Sequence, residues 1–296
     1  MGLGSARRWP ILIGVGVTVL CALLTIWPPV LLERAREAVF DSVQRFAPRP
    51  YDPASPVHVI DIDEAALEEF GQWPWPRTYL AALTDRLFAH GAAAVAFDVL
   101  FAEPDRTSPE RIVESWARFG DDLAPDLSGA RDHDAVFAEA LAGQPVILAV
   151  TGTGTGREAG QLQGGVSIAG DPPTGLQSFP GAVLPIDPLR EAAAGLGTIT
   201  PALGTDSVVR AVPMVSRIGE AVVPSLTAEL LRVAQGAGSH LLRTSSASGD
   251  LAGGRPVATA LRTGAVTLPL EADGTLRVYF AGQRAERVTP AAAVLG

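Results

Sequence analysis

Three aspartates stand near the ends of two apolar runs. The run Val57–Ile62 (VHVIDI) carries Asp61 near its end, with Asp63 just beyond it, and the run from Ala92 to Phe101 holds a single acid, Asp98. Carboxylates are oxygen ligands for hard cations, so three brought together would hold Mg²⁺ or Ca²⁺, as a divalent-metal-dependent enzyme requires. Arg77 lies between the two runs and reaches the same place on a competing reading, in which it pairs with one or two of the acids while Asp63 caps a helix. Asp61, Asp63, Arg77 and Asp98 are thus a metal set or a ligand-binding or structural polar cluster. Trp73 and Trp75 flank a proline in Trp73-Pro74-Trp75-Pro76-Arg77 and offer either core packing or a face for ligand stacking.

The elements that would position these residues follow from local rules. Val57 to Ile62 reads as a strand, Asp63 as the N-cap of a short helix, and Gly71 as its close. Each proline of the Trp-Pro turn fixes its own φ and pushes its predecessor toward extended geometry. Pro76 suits the first position of a second helix. Leu80, Leu83 and Leu87 share one face of it, and Gly91 ends it. A strand over 92–101 completes a βαβ unit. With the two strands as parallel neighbours, the acids converge at the carboxyl edge of the sheet, where α/β proteins bind ligands.

Other chemistry finds little support. Gly152, Gly154 and Gly156 follow a strand, but Gly-rich coil comes next and no Lys-Ser/Thr pair accompanies them, so a phosphate loop is not expected. His58, His90, His133 and His240 are scattered without zinc-ligand spacing, and no G-x-S-x-G elbow is present. No catalytic residue and no cofactor is expected of this chain. Cys21 is the only cysteine, which excludes internal disulfides and cysteine metal sites. The net charge of −9 argues against a nucleic-acid partner.

Hydrophobic residues make up 47% of the 296 positions and charged residues only 19%, which directs attention to the membrane. No charge occurs between Arg8 and Glu33, a stretch long enough for one spanning helix, with Arg7 and Arg8 before it and Trp9 and Trp27 near its two ends. By the positive-inside tendency the N-terminus is cytoplasmic and the rest extracytoplasmic. Residues 1–32 are then the cytoplasmic N-terminus and transmembrane helix, in a cell inner (plasma) membrane. Residues 33–56 follow as a membrane-proximal amphipathic helix and Pro-rich lead-in. Leu32, Ala35, Val39, Val43 and Phe46 fall at helical spacing there, to pack on the domain or on a second copy in a homodimer. Residues 57–296 form the remaining domain, with Gly-rich loops at 151–178 and 236–256 and a closing β-hairpin that turns at Ala272-Asp273-Gly274. Helices at 132–141 and 224–235, a helical run around 189–194 and a buried strand at 145–150 extend the βαβ pattern. The fold class is α/β, a mostly parallel sheet flanked by helices.

The order V-x-V-I-D-I-D-E, W-P-W-P-R, then G-A-A-A-V-A-F-D-V-L-F-A-E-P-D resembles the second class of CHASE domain, the cyclase/histidine-kinase-associated sensory extracellular domains. G-L-G-T-I-T, T-D-S-V-V-R-A-V-P, P-S-L-T-A-E-L-L and L-P-L-E-A-D-G-T-L-R-V-Y-F-A-G agree with it. The resemblance runs from about Glu33 to the C-terminus. It implies the sensor of a bacterial transmembrane receptor for an unknown extracellular or periplasmic signal, with an adenylate or guanylate cyclase output, or alternatively a Ser/Thr or histidine kinase. Two departures stand out: Thr205-Asp206-Ser207 where the family tends to Asp-x-Asp-Gly, and an end at Gly296 where the family continues, so that a C-terminally truncated sensor is expected.

Overall fold

The computed structural model describes residues 8–26, 30–118, 127, 129–155, 165–201, 206–248, 254–282 and 284–296. Expectations resting on Arg7, Trp27 and Thr205 lie outside the described residues. The chain divides into two compact units, Met1–Pro56 with Tyr279–Arg284, and Val57–Val278 with Ala285–Gly296.

The first unit holds α1 (Arg8–Ile26) and α2 (Val30–Phe46). From Trp9 to Leu23 every residue of α1 is exposed, aliphatic side chains on all sides of the helix included. Its 19 residues measure about 28 Å at 1.5 Å per residue, a little under a hydrocarbon core of about 30 Å. Among the described residues no helix is long and apolar enough to cross a membrane. On α2 the face that receives a partner is not the expected stripe. Phe40 meets Tyr279 edge to face at 5.7 Å, and the Gln44 amide oxygen accepts from the Phe280 N–H at 2.9 Å. Leu32, Ala35, Val39, Val43 and Phe46 stay exposed, Phe46 at 91%.

In the second unit the elements are β1 (Val59–Asp61), α3 (Glu64–Phe70), α4 (Arg77–Ala89), β2 (Val95–Phe97), α5 (Pro109–Ala117), α6 (His133–Leu141) and β3 (Val146–Thr153). There follow β4 (Val166–Ala169), β5 (Ser178–Phe179), β6 (Gly181–Val183), α7 (Asp187–Ala192), β7 (Gly195–Thr198), β8 (Ala211–Pro213), β9 (Val215–Ile218), β10 (Ala221–Pro224) and α8 (Leu226–Ala234). Last come β11 (His240–Thr244), β12 (Ala258–Thr263), β13 (Val266–Pro269), β14 (Thr275–Arg277), β15 (Val288–Pro290) and α9 (Ala291–Leu295).

The centre is a parallel sheet, β2–β3–β7, with β3 innermost because Val146 to Val150 are all fully buried. Beyond Val150, β3 runs on and pairs antiparallel with β6. Successive side chains of a strand face opposite ways, and β7 uses this on both sides. Leu196 packs into a core of Trp75, Leu80, Phe97, Phe101, Phe137, Leu141 and Leu148. Gly195 and Gly197 face α8, so closely that a Cβ on Gly197 would lie 2.6 Å from the Leu226 amide nitrogen. A second core, with Met214, Val215, Leu242 and Leu261 among its members, is covered by the sheet β13–β12–β11–β4. Strands β10–β9–β5, β14–β8 and β1–β15 form smaller sheets.

Three expectations are corrected here. Strand β1 does not neighbour β2; it pairs in parallel with β15, Ile60 opposite Thr289. Val57, just ahead of it, and Val59 are half exposed, so it lacks the two buried faces that a place inside the parallel sheet demands. The expected closing hairpin is split. The turn exists, with Gly274 N–H donating to Glu271 O, but β13 returns to β12 around Gly264 while β14 pairs with β8. The stretch 236–256 is no plain loop, since it contains β11, paired on both sides, and 151–178 contains the end of β3 and all of β4.

Candidate functional site

An open cleft of about 540 Å³ lies at the carboxyl ends of the strands. Its lining follows from where the strands stop. Asp98, Val99 and Leu100 come directly after β2, Ile199 directly after β7, and Ile62 directly after β1, while Trp73 enters from the Trp-Pro turn. Asp98 is exposed, and among the described residues no hydrogen bond or ion pair engages its carboxylate.

The two tryptophans divide their labour. Trp75 is 1% exposed and donates its indole N–H to Gly71 O at 2.7 Å, with Phe70 and Tyr79 set edgewise against it. Trp73 leans on Trp75 at 6.2 Å between ring centroids and remains 36% exposed toward the cleft. Core packing therefore belongs to Trp75, and the cleft wall to Trp73. The turn itself contains a cis Trp73–Pro74 bond.

Arg77 does not turn to Asp61, Asp63 or Asp98. It is buried, its main-chain N–H donates to Asp105 Oδ2 at 2.6 Å, and its Nε faces Asp134 Oδ1 at 3.4 Å. Its guanidinium also lies 4.5 Å over the Phe101 ring. Asp134 Oδ2 accepts from the Asp105 N–H at 2.8 Å, and Asp105 Oδ1 accepts from both the N–H and the hydroxyl of Thr107. His133 Nδ1 completes the group 3.4 Å from Asp105 Oδ2. Burial lowers the Arg77 guanidinium against the opposing pull of Asp134 and Asp105. Burial also acts to raise Asp105, but the Arg77 and Thr107 N–H bonds, the Thr107 hydroxyl and the Arg77 charge outweigh it and hold that carboxyl low. At Asp134 burial prevails and the carboxyl is pushed up. The network ties the start of α4 to the segment after β2 and to the first turn of α6.

Asp63 caps α3, its Oδ1 accepting from the Ala66 N–H at 3.0 Å, and Asp61 is an exposed residue of β1. Among the described residues no group of three or more His, Cys, Asp or Glu side chains is placed to hold a metal ion. The structure does not assemble Asp61, Asp63 and Asp98 into such a set: β1 pairs with β15, and the Asp63 side chain caps α3.

A second polar group, absent from the sequence expectations, lies where α8 meets β11 and β12. His240, fully buried, has Nε2 2.9 Å from Glu229 Oε2 and Nδ1 2.8 Å from Thr263 Oγ1. Arg232 closes it, with Nε at 2.9 Å and Nη2 at 2.5 Å from the two Glu229 oxygens. Acid, imidazole and hydroxyl stand in the order that nucleophilic catalysis uses, but Glu229 is 6% exposed and the other two 0%, so the group works as a brace. Burial acts to raise Glu229, and the hydrogen bonds from Arg232 and His240 more than reverse it. At the departing triplet, Asp206 takes both terminal nitrogens of Arg210 and the Val208 N–H, while Ser207 sits at φ 63°.

The architecture is that of an α/β domain with a ligand-sized recess at the carboxyl edge of a parallel sheet. The chain belongs to the CHASE2 domain family, whose model matches residues 17–296. CHASE2 domains are sensory domains found in receptors such as cyclases and kinases. Neither the curated proteins nor the solved structures give a match.

Proposed function

We propose that the chain is the extracytoplasmic sensor of a membrane-bound receptor, and that the cleft between Trp73, Asp98 and Ile199 receives its signal. The family match over 17–296 carries this reading. The preferred output is an adenylate or guanylate cyclase, with a Ser/Thr or histidine kinase second. In the proposal α1 and its adjoining residues anchor the domain in the membrane with the N-terminus cytoplasmic, supported by the charge-free run from Trp9 to Leu32 and by the exposure of every residue from Trp9 to Leu23. The exposed α2 stripe of Leu32, Val39, Val43 and Phe46 supports pairing with a second copy, because water-facing apolar rows of this kind are what helix pairs bury.

The Trp-Pro turn gives the cleft a route into the domain. Trp73 lines the recess, Trp75 is in the core, and Arg77 holds α4 to Asp105 and Asp134, all within five residues. A ligand that binds one setting of this turn better than another shifts the population between the two. Membrane topology tests the reading. Glu220, exposed in the turn between β9 and β10, is changed to cysteine in a Cys21→Ala background, and cells are treated with a membrane-impermeant maleimide. Labelling of intact cells is expected; labelling only after lysis would place the domain inside and end the proposal.

A further inference from the structure

We infer that the cleft selects an organic monocation, a small molecule with an ammonium head and a short apolar body. The inference rests on the reading of the cleft as the signal site and adds the chemistry of its ligand. Of the lining residues, Ile62, Val99, Leu100 and Ile199 are aliphatic, Trp73 is aromatic, and Asp98 carries the only charge.

Asp98 differs from Asp63, Asp105 and Asp134 in what engages it, and it is the acid that lines the cleft. Asp63 is occupied as a helix cap, and Asp105 and Asp134 are occupied by Arg77 and its neighbours. Asp98 has no such engagement among the described residues and stands in the wall of a recess. Trp73, which leans on Trp75, lines the same cleft and offers it an indole, the side chain that attracts cations over its face best. No hydrogen bond engages its ring N–H among the described residues.

Competing ligand classes fit less well. An anion would meet Asp98 with no basic side chain in the lining to offset the repulsion. A divalent metal ion would find one carboxylate where Ca²⁺ takes six to eight oxygens. A neutral apolar ligand would strip water from Asp98 and return nothing to it. An ammonium group satisfies the carboxylate, and its alkyl or aryl body covers the aliphatic wall. A recess of about 540 Å³ suits a molecule of metabolite size.

The test uses three probes that share one aromatic ring and differ in charge. Benzylammonium, benzyl alcohol and benzoate are titrated into the full chain in nonionic maltoside detergent, and tryptophan fluorescence and heat are followed. Saturable binding of benzylammonium is expected, about tenfold tighter than benzyl alcohol, with benzoate weakest. Asp98→Asn should erase that preference without moving the melting temperature, and Asp98→Glu should keep part of it. If benzyl alcohol binds as well as benzylammonium, or Asp98→Asn leaves the cation's affinity intact, the cation class is wrong while the cleft reading survives in the first case only. If none of the three binds at concentrations up to about 50 mM, far beyond the millimolar range of weak sites, both are overturned.

Discussion

Replacing Arg77 with methionine removes the guanidinium and keeps an unbranched apolar stem. The Arg77 and Asp134 side chains are 10% and 5% exposed, so the loss is felt in a nearly dry environment. Asp105 keeps the residue-77 main-chain N–H and both groups of Thr107. Asp134 is the casualty: Oδ2 retains the Asp105 N–H, but Oδ1 has no hydrogen-bond partner among the described residues and stands 3.4 Å from Arg77 Nε. Removing one member of a buried pair costs about 3–5 kcal/mol. The separation of 3.4 Å and the ability of Asp134 to take a proton put the cost at the low end, about 3 kcal/mol at pH 7, or a melting temperature lower by about 6–12 °C. The pH dependence has a definite sign. Burial already raises the Asp134 carboxyl, and Arg77 is the main charge opposing it, so in Arg77→Met the folded value climbs further above the unfolded one. A raised carboxyl stabilises the fold while protonated and loses that contribution as pH rises from the unfolded value through the folded one. The penalty is therefore smaller at pH 4 than at pH 7, and adding Asp134→Asn should return about 1–2 kcal/mol at pH 7. Urea unfolding of the four variants in the cycle, at both pH values, decides it. A cost below about 1 kcal/mol, or a double variant less stable than Arg77→Met, would refute the reasoning.

Further outcomes follow from other contacts. Glu229→Gln should cost about 2–3 kcal/mol at pH 7. Because Glu229 is held low, its contribution is complete above the unfolded pKa near 4.5 and fades as pH falls through the folded value, so denaturation midpoints of the variant should vary less across the acid limb. Gly197→Ala pushes a methyl group against the backbone at the start of α8, and thermal melting should register a loss of about 3 kcal/mol. Ser207→Gly relieves the left-handed φ of 63° and should raise stability by about 0.5 kcal/mol, seen as a small upward shift in the melting temperature; a downward shift would contradict it. Val39→Glu, on the exposed α2 stripe, should shift the chain toward monomer on light scattering in detergent while leaving circular dichroism unchanged.

What could be read from the sequence was local. Asp63 as cap, Gly71 as stop and the inward Leu80 and Leu83 depend on neighbours within a turn, and they appear as read, while Pro76, expected as the first helical residue, stands one place earlier as the N-cap of α4. The family pattern was legible for the same reason, being carried by contiguous words such as W-P-W-P-R. Pairings across the chain were not. Nothing near β1 announces β15 as its partner, so the βαβ inference placed Asp61 beside Asp98 on proximity in sequence alone. Arg77 likewise stands between Asp63 and Asp98 in sequence, whereas its partners are Asp105, in the A-E-P-D word, and Asp134, in the first turn of α6. A basic residue opening a buried helix was the available sign that distant acids must fold back to it. Strand β11 was hidden by its own chemistry: of its inward residues His240, Leu242 and Thr244, only one is apolar, and the other two are satisfied by hydrogen bonds invisible to a hydropathy pattern. Asp98 reaches the cleft through a rule that needs only strand ends, which is why residue types near those ends were informative, whereas Trp73 enters from the Trp-Pro turn.

The most direct test of the cleft as the receiving site is hydrogen–deuterium exchange of the full chain with and without saturating benzylammonium. Slower exchange is expected at the amides around Ile62, Trp73, Asp98–Leu100 and Ile199, and none of this slowing in Asp98→Asn. Protection confined to the sheet around His240 and Thr263, or unchanged exchange at residues 98–100, would contradict it.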